Sequence, residues 1–583
     1  MKYFYPIISL FLCFEISAQL SVRNNAFVFV DDNILYVEDD INLNEASSKL
    51  YLRNGAQILQ GNGTTGNHGL GSLSVYQTGT ANEFMFNYWS SPVGESSLAF
   101  GNSDFTLSQL GDISDITTST AANFTSDVNG STSPLKISNR WLYTYKQIVG
   151  PGYNYSDWET INENTAINSG IGFTMKGTED SSSSQTYDFI GKPNNGEISV
   201  DVTPYYWTLS GNPYPSALDS AAFIHDTDNL NAISGTLYFW EQDQNSDSHN
   251  VADYVGGYAT FTINSDGSLP SFVSATYNTY NADGTINTTG GNSSSGKQVR
   301  RYIPIGQGFM IEGSPTSTGV ATFKNSHRSY YKQTDSESEF FRANSSNSED
   351  NFESVPENVK RFRIYTNFND IYTRELMMNF HPDATPNFDF GLEGRSPGGV
   401  TTDAFWLTST DALVIQALQY SEDVSIPLGL YLQESQVVTF NIDDIQNFDD
   451  SQPIFIHDKS ENTYYDLKDS EVTLSLASGY YYDRFEIVFK TQSTLSTENL
   501  DLNNSAVIQN NNSQELIILN PALEQIDNIS IYDIKGAEIL GESEKINVAE
   551  HRIPTQSYNT GVYIVKLNMN NGKIITQKII IRN

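Results

Sequence analysis

Val562-Tyr563-Ile564-Val565-Lys566-Leu567-Asn568-Met569, then Asn571-Gly572, then the run 573–582, decide how this chain is built. Side chains alternate across a strand, so Tyr563, Val565, Leu567 and Met569 share one face. Asn-Gly is a strong hairpin signal, and residues 573–582 read as the returning strand. The chain therefore ends in a hairpin, the closing edge of a small sandwich. The same period of two recurs upstream, as in Val472-Thr473-Leu474-Ser475-Leu476 and Phe485-Glu486-Ile487-Val488-Phe489, broken by Gly, Asn, Asp and Ser. No window carries a convincing apolar stripe at helical spacing. The expected fold class is all-β and, with 583 residues against roughly 150 per domain, multidomain.

Working back from the hairpin, the pieces separate by composition. Residues 514–583 form a module of their own, because 515–583 hold eight acids and seven bases while the whole chain has 69 Asp and Glu against 32 Lys and Arg. A polar linker spans 491–513, and a β-sandwich is expected over 359–490. Residues 334–358, rich in Ser, Asn and Glu, read as a second linker. Before it lies an internal duplication. Tyr88-Trp89-Ser90-Ser91-Pro92, Leu142-Tyr143-Thr144-Tyr145 and Gly170-Ile171-Gly172-Phe173-Thr174-Met175-Lys176-Gly177 are followed by a second ordered set. That set is Trp207-Thr208-Leu209-Ser210-Gly211-Asn212-Pro213, Leu237-Tyr238-Phe239-Trp240 and Gly306-Gln307-Gly308-Phe309-Met310-Ile311-Glu312-Gly313. Tandem related β-units are therefore placed at 86–200 and 201–333, with the Gly/Ser-rich stretch 290–296 as a surface loop of the second. Residues 20–85 carry short apolar runs at close spacing, which fits brief stacked strands or a meander.

Hydrophobic residues at 38% and aromatics at 12% supply packed cores, while a net charge of −37 repels nucleic acid and anionic lipid. Met1-Lys2, an apolar run and Ser17-Ala18-Gln19 have the layout of a secretory signal peptide over 1–19. Its middle is too short to span a bilayer, and no later stretch reaches 18 apolar residues, so no transmembrane segment is expected in the mature chain. Cys13 is the only cysteine, which leaves the mature chain without disulfides, thiolate nucleophiles or cysteine metal sites. Bulky Leu10-Phe11-Leu12 argues against lipidation there.

The C-terminal module resembles the sorting domain of the type IX secretion system of Bacteroidetes. The residues that carry the resemblance are Asn520-Pro521 after an apolar strand, Ile531-Tyr532-Asp533-Ile534-Lys535-Gly536, Thr560-Gly561-Val562-Tyr563-Ile564-Val565-Lys566, and the terminal run through Lys578. Leu519 stands where a proline often precedes Asn-Pro. The resemblance implies an immunoglobulin-like sandwich and recognition by the type IX secretion machinery. It also implies removal of the domain with covalent attachment of the cargo to surface lipopolysaccharide. The motif residues it assigns are Asn520, Pro521, Asp533, Gly536, Gly561, Tyr563, Lys566 and Lys578. Upstream phrases such as Gly211-Asn212-Pro213-Tyr214-Pro215 resemble those of secreted flavobacterial proteins, with no activity attached.

Nothing in the sequence assembles a catalytic constellation. The seven histidines lack the spacing that sets two imidazoles on one metal. Gly394-Arg395-Ser396-Pro397-Gly398 spells a nucleophile elbow, but no apolar strand leads into it. Pro397 also lacks the N–H an oxyanion hole needs, so it reads as a turn. The two G-x-G-F motifs lack a βαβ context and read as strand-entry turns. Asp243, Asn245 and Asp247 set alternate oxygen side chains that can converge on Ca²⁺ like the first half of an EF loop. The loop's glycine and distal glutamate are missing, and a solvated polar hairpin is the preferred reading. Asp226 and Asp228 offer a weaker version. Tyr143, Tyr145, Tyr153, Tyr155 and Trp158, like Tyr205, Tyr206 and Trp207, are either sheet packing, the preferred reading, or platforms for sugar rings.

The sequence thus points to an extracellular or surface-anchored β-protein, exported by the type IX route, with adhesion or envelope structure as its expected role. No cofactor other than Ca²⁺ is in view. The competing reading is an extracellular carbohydrate-binding or carbohydrate-active protein whose glycan contacts lie in an aromatic cleft of the duplicated region, with Trp158 and Trp240 as the residues to test.

Overall fold

The computed structural model describes residues 19–582 other than 62, 64, 147–156, 179–183, 244, 246, 290–296, 316–317, 334–353, 399, 409–410, 492–504, 512 and 544. The expected signal peptide up to Ala18, most of the 334–358 linker, the 290–296 loop, Tyr153 and Tyr155 lie outside the described residues. The chain is all-β: strands account for nearly all of its regular structure, with one α-helix, Ser220–Ile224, among the described residues. No helix there is long and apolar enough to cross a membrane. Two units separate, 1–490 and 491–583.

The first unit opens with stacked coils. Leu20–Val22 runs parallel to Ile41–Leu43, Phe27–Asp31 to Lys49–Arg53, and Ile34–Val37 to Gln57–Gln60. Of the two arrangements the sequence allowed, stacking wins. Asn24, Asn25, Asp32 and Asn54 take the left-handed corner conformations, with φ of 58°, 60°, 52° and 53°, that short polar side chains tolerate. Each coil then buries its apolar residues on the previous one, Leu50, Leu52 and Ile58 among them. Ser72–Thr80 continues the stack and pairs antiparallel with Ser184–Pro193, which carries the coil into the first repeat.

The duplication is a duplication of topology. In the first repeat the strands lie in the order Phe86–Ser90, Gly172–Lys176, Tyr143–Tyr145, Trp158–Thr160. In the second, Trp207–Gly211, Gly308–Gly313, Ile233–Gln242 and Val255–Ile263 repeat that order. The two copies exchange edges reciprocally. Trp89 bridges to Gln307 at the entry of the second G-x-G-F strand, and Ser210 bridges to Ile171 at the entry of the first. Ser90 N donates to Gly306 O (3.0 Å), and Ser210 Oγ donates to Gly170 O (2.7 Å).

This exchange explains the two G-x-G motifs. Gly170 and Gly306 have φ of 88° and 72°, a region costly for any residue with a Cβ. The second glycine of each pair meets the other repeat's backbone. A Cβ on Gly308 would sit 2.7 Å from Trp89 N and Tyr88 C, and one on Gly172 would sit 2.6 Å from Ser210 O. The motifs are strand entries, as read from the sequence, and they are also the seam.

Residues 360–490 form one eleven-stranded sheet that folds back on itself into a sandwich. Phe440 and Phe485 lie 5.8 Å apart across its core although five strands separate theirs along the sheet. The second repeat packs on this sandwich through buried arginines. Arg361 Nη2 donates to Pro270 O (3.0 Å), and Arg363 Nη1 donates to Phe272 O (2.8 Å). Arg363 also pairs with Glu375 and with Asp444 (2.8 Å). Both carboxylates are buried, so the guanidinium neutralises charge that burial would otherwise penalise by several kcal/mol, on the order of 3–5.

The second unit is a sandwich of two sheets. Ala506–Asn510, Glu515–Leu519 and Glu550–Pro554 make one; Glu538–Glu542, Ile526–Asp533, Gly561–Met569 and Ile574–Ile581 make the other. Its first strand, Ala506–Asn510, falls inside the stretch 491–513 expected as linker. Ala506-Val507-Ile508 is a short apolar run without alternation, and only pairing with Glu515–Leu519 defines the strand. The final hairpin forms as expected, with Ile574–Ile581 at the sheet edge. Its turn is closed by Met569 and Lys573, with only Gly572 left-handed, at φ 83°. Tyr563 Oη donates to Asn559 O (2.9 Å), the corner bond seen in immunoglobulin-like sandwiches.

Gly308→Ala should lower the stability of the larger unit by about 1–3 kcal/mol, because backbone atoms of the other repeat must move. Calorimetry of the full chain checks it; an unshifted main transition would show that the seam is slack.

Candidate functional site

Alternation on the seam strands sets the site. Phe173 and Met175 point into one core, and Phe309 and Ile311 into its counterpart in the second repeat. Thr174, Lys176, Met310 and Glu312 therefore face the other side, where the two repeats turn toward each other. That side is aromatic. Trp158 meets Tyr88 at 6.0 Å, Tyr88 stacks on Trp240 (6.2 Å, 11° between planes), Trp240 meets Tyr258 at 5.2 Å, and Tyr258 meets Trp207 at 5.0 Å. Tyr88 and Tyr258 share a hydroxyl hydrogen bond of 3.0 Å. The row passes from the first repeat to the second where Tyr88 stacks on Trp240, so neither copy holds it alone.

The tyrosines at the centre, Tyr88, Tyr145, Tyr238 and Tyr258, are buried, while Phe86, Trp158, Trp207 and Trp240 are only partly so. Sheet packing, the preferred reading, accounts for the buried tyrosines, while the other four rings keep part of their surface open. Phe86, Trp158 and Trp240 wall an open recess of about 600 Å³, with Trp141, Tyr254 and Tyr280 completing it. Two polar atoms in this wall, Thr174 Oγ1 and Trp240 Nε1, are buried without a hydrogen-bond partner among the described residues. Thr174 is 1% exposed. Among the described residues the wall carries no carboxylate, so the recess is furnished for stacking and hydrogen bonding.

Behind the wall lies Lys176, 3% exposed. Its ammonium sits 4.1 Å from the Trp141 ring centre, 4.8 Å from that of Tyr254 and 4.9 Å from that of Phe86. It donates to Tyr254 Oη (2.7 Å) and contacts His249 Nδ1 at 3.1 Å. His249 stacks on Trp141 (4.8 Å, 11°), and its Nε2 lies 2.6 Å from Asn129 Oδ1. Nε2 is then the protonated nitrogen, which leaves Nδ1 to accept from the lysine. Burial, opposed by Glu83, pushes the Lys176 amine down to about 7. Burial and the adjacent Lys176 charge hold His249 down to about 4. The cluster locks three walls of the recess together by cation–π contacts, each worth roughly 0.5–2 kcal/mol.

Thr174, Lys176, Phe86, Trp141, Tyr254 and Tyr280 were not singled out in the sequence. A signal was present in G-x-G-F-x-x-x-G: a charged residue stands before the last glycine in both copies, on the face opposite Phe173 and Phe309. Glu312, the counterpart of Lys176, is largely buried, faces Arg395 at 4.0 Å, and is raised above the usual carboxylate range by burial.

The other sequence candidates fall elsewhere. Asp243, Asn245 and Asp247 lie just past the end of strand Ile233–Gln242, where Asn245 N and Nδ2 both donate to Asp243 Oδ1 (2.9 and 3.0 Å). Asp226 and Asp228 close on Lys324 (2.7 and 2.6 Å). Gly394-Arg395 is a short strand, and Arg395 pairs with Asp411 at 2.7 Å. Tyr205 is exposed at a left-handed turn, φ 64°. In the C-terminal unit, buried Asn520 donates from Nδ2 to Glu524 O (2.7 Å), shaping the turn that contains exposed Pro521. Asp533 Oδ1 accepts from Lys535 N and Ala537 N (2.8 and 2.9 Å) around left-handed Gly536. Gly561 opens the strand that carries buried Tyr563 and half-buried Lys566; Lys578 is exposed on the edge strand.

The folded Lys176 amine titrates near 7 and the unfolded one near 10.4, so between them the unfolded chain holds the extra proton and stability rises with pH. Urea titrations from about pH 7 to about pH 10 should show wild type gaining stability relative to Lys176→Met across that window. Parallel curves would mean the amine is solvated.

Comparison with curated proteins finds no match. Among solved structures, a chain named "Biofilm associated protein - BSP domain" aligns at 9% identity, covering 76% of this chain and 87% of that one. Its TM-score is 0.12, a superposition too loose to bear on fold or function. A family model described as "Domain of unknown function (DUF8694)" matches residues 495–581. A second model spans most of the coils, both repeats and the large sandwich, residues 4–489, and by it the chain belongs to the family described as "Domain of unknown function (DUF8693)".

Proposed function

We propose that this chain is an exported, surface-displayed β-protein that binds carbohydrate in the aromatic recess between its repeats, without turning it over. The observation that carries this reading is the pairing of partly exposed aromatic faces with two buried polar atoms that have no hydrogen-bond partner among the described residues, Thr174 Oγ1 and Trp240 Nε1. An unsatisfied buried donor or acceptor costs about 1–3 kcal/mol, so the recess is built to be completed by something. A sugar ring supplies both needs at once: its C–H face packs on an aromatic ring, and its hydroxyls reach the threonine oxygen and the indole N–H. Adhesion, or cross-linking of envelope polymers, is the role such binding serves at a surface. Export is supported by the signal-peptide layout of residues 1–19 and by the resemblance of residues 515–583 to a type IX sorting domain, with attachment to lipopolysaccharide as the expected end state.

On a glycan array, the full mature protein should bind a neutral glycan. Trp158→Ala should weaken that binding about tenfold, near 1.4 kcal/mol, and the near-isosteric Thr174→Val should weaken it several-fold while the fold is retained. Release of reducing sugar from any bound glycan would reject the non-enzymatic half. Deletion of residues 515–583 should leave the protein inside the cell envelope; a truncated chain that still reaches the surface or medium sinks the sorting role.

A further inference from the structure

A second recess, of about 440 Å³, opens on the far side of the same aromatic row. Trp207, Tyr258 and Tyr280 wall it from the second repeat, and Arg374 and Pro397 from the large sandwich. Tyr280 lines both recesses, 6.5 Å from Trp240. The aromatic row therefore links the two recesses, with Trp158 and Trp240 at the first, Trp207 at the second, and the buried Tyr88 and Tyr258 packed between them. An independent observation marks the second recess as polar-competent: Asn278, in its wall and only 7% exposed, keeps a buried Oδ1 without a partner among the described residues. The cation in this wall is already spent, because Arg374 donates to both oxygens of Asp403 (2.6 and 3.1 Å). With that guanidinium neutralised and a chain charge of −37, an anionic polymer gains nothing there and is repelled at long range.

We infer that the two recesses are consecutive subsites for one neutral oligosaccharide, laid along the aromatic row across Tyr280. The inference rests on the carbohydrate reading of the first recess. It also gives the Gly394–Gly398 turn a use: Ser396 Oγ lies within 3.3 Å of Gly398 N, and Gly398, at φ 72°, bends Pro397 into the wall, so the serine shapes a rim.

Isothermal titration of the full mature protein with glucan and mannan ladders, from the single sugar to the hexasaccharide, tests it. Affinity should climb at least tenfold from the single sugar to the trisaccharide and then level. Asn278→Ala should erase that climb and leave the single sugar unchanged, whereas Trp158→Ala should weaken every length. Val400→Trp, which fills the second recess from its loop, should act as Asn278→Ala does and covers the case in which the asparagine variant folds poorly. Length-independent affinity, or equal losses at all lengths in both second-recess variants, overturns the consecutive subsites and leaves the first recess standing. Failure of wild type to bind any ladder overturns both.

Discussion

The reciprocal contact between the G-x-G entry of each repeat and the opening strand of the other is the constraint on which the larger unit depends. Backbone meets backbone at Gly172 and Gly308 with no room for a methyl group. That closeness fixes the angle between the repeats. The angle in turn lets Tyr88 of the first copy stack flat on Trp240 of the second. Ring stacking is weak, about 0.5–1.5 kcal/mol a pair, so the aromatic row follows the seam and does not create it.

The duplicated strands keep their topology while the face opposite the cores diverges. Lys176 and Glu312 occupy matching places on either side of the seam. Each takes its partners from its own surroundings, the lysine from an aromatic cage and the glutamate from Arg395 of the large sandwich. One copy therefore braces a wall of the first recess, and the other ties the second repeat to the sandwich. A site placed at the meeting of three parts can be reshaped by changes in any of them without disturbing the cores, which lie on the opposite strand faces.

The C-terminal unit follows a different logic. Its signature residues are architectural: Asn520 closes a turn, Asp533 and Gly536 another, and Tyr563 pins a strand to the backbone at Asn559. Such residues hold a compact sandwich in one shape.

How much was legible without coordinates can be judged strand by strand. Period-two alternation and the Asn571-Gly572 turn were enough for the all-β class and the final hairpin, because strand geometry is a local property of successive side chains. The ordered repeats were legible for the same reason. Aromatic residues were visible but their fates were not: Tyr145 and Trp158 read alike in sequence, yet one is buried and the other lines a recess. Burial is decided by what packs opposite, and opposite each repeat stands the other, more than a hundred residues away. The strand Ala506–Asn510 was missed because its partner, and not its own composition, makes it a strand. Sequence by itself determined which residues alternate and where the chain turns. Only tertiary structure decided that two glycine motifs would form a seam, that a lysine would sit among three rings, and that Thr174 and Trp240 would line one recess, since each of these is a contact between residues that sequence keeps apart.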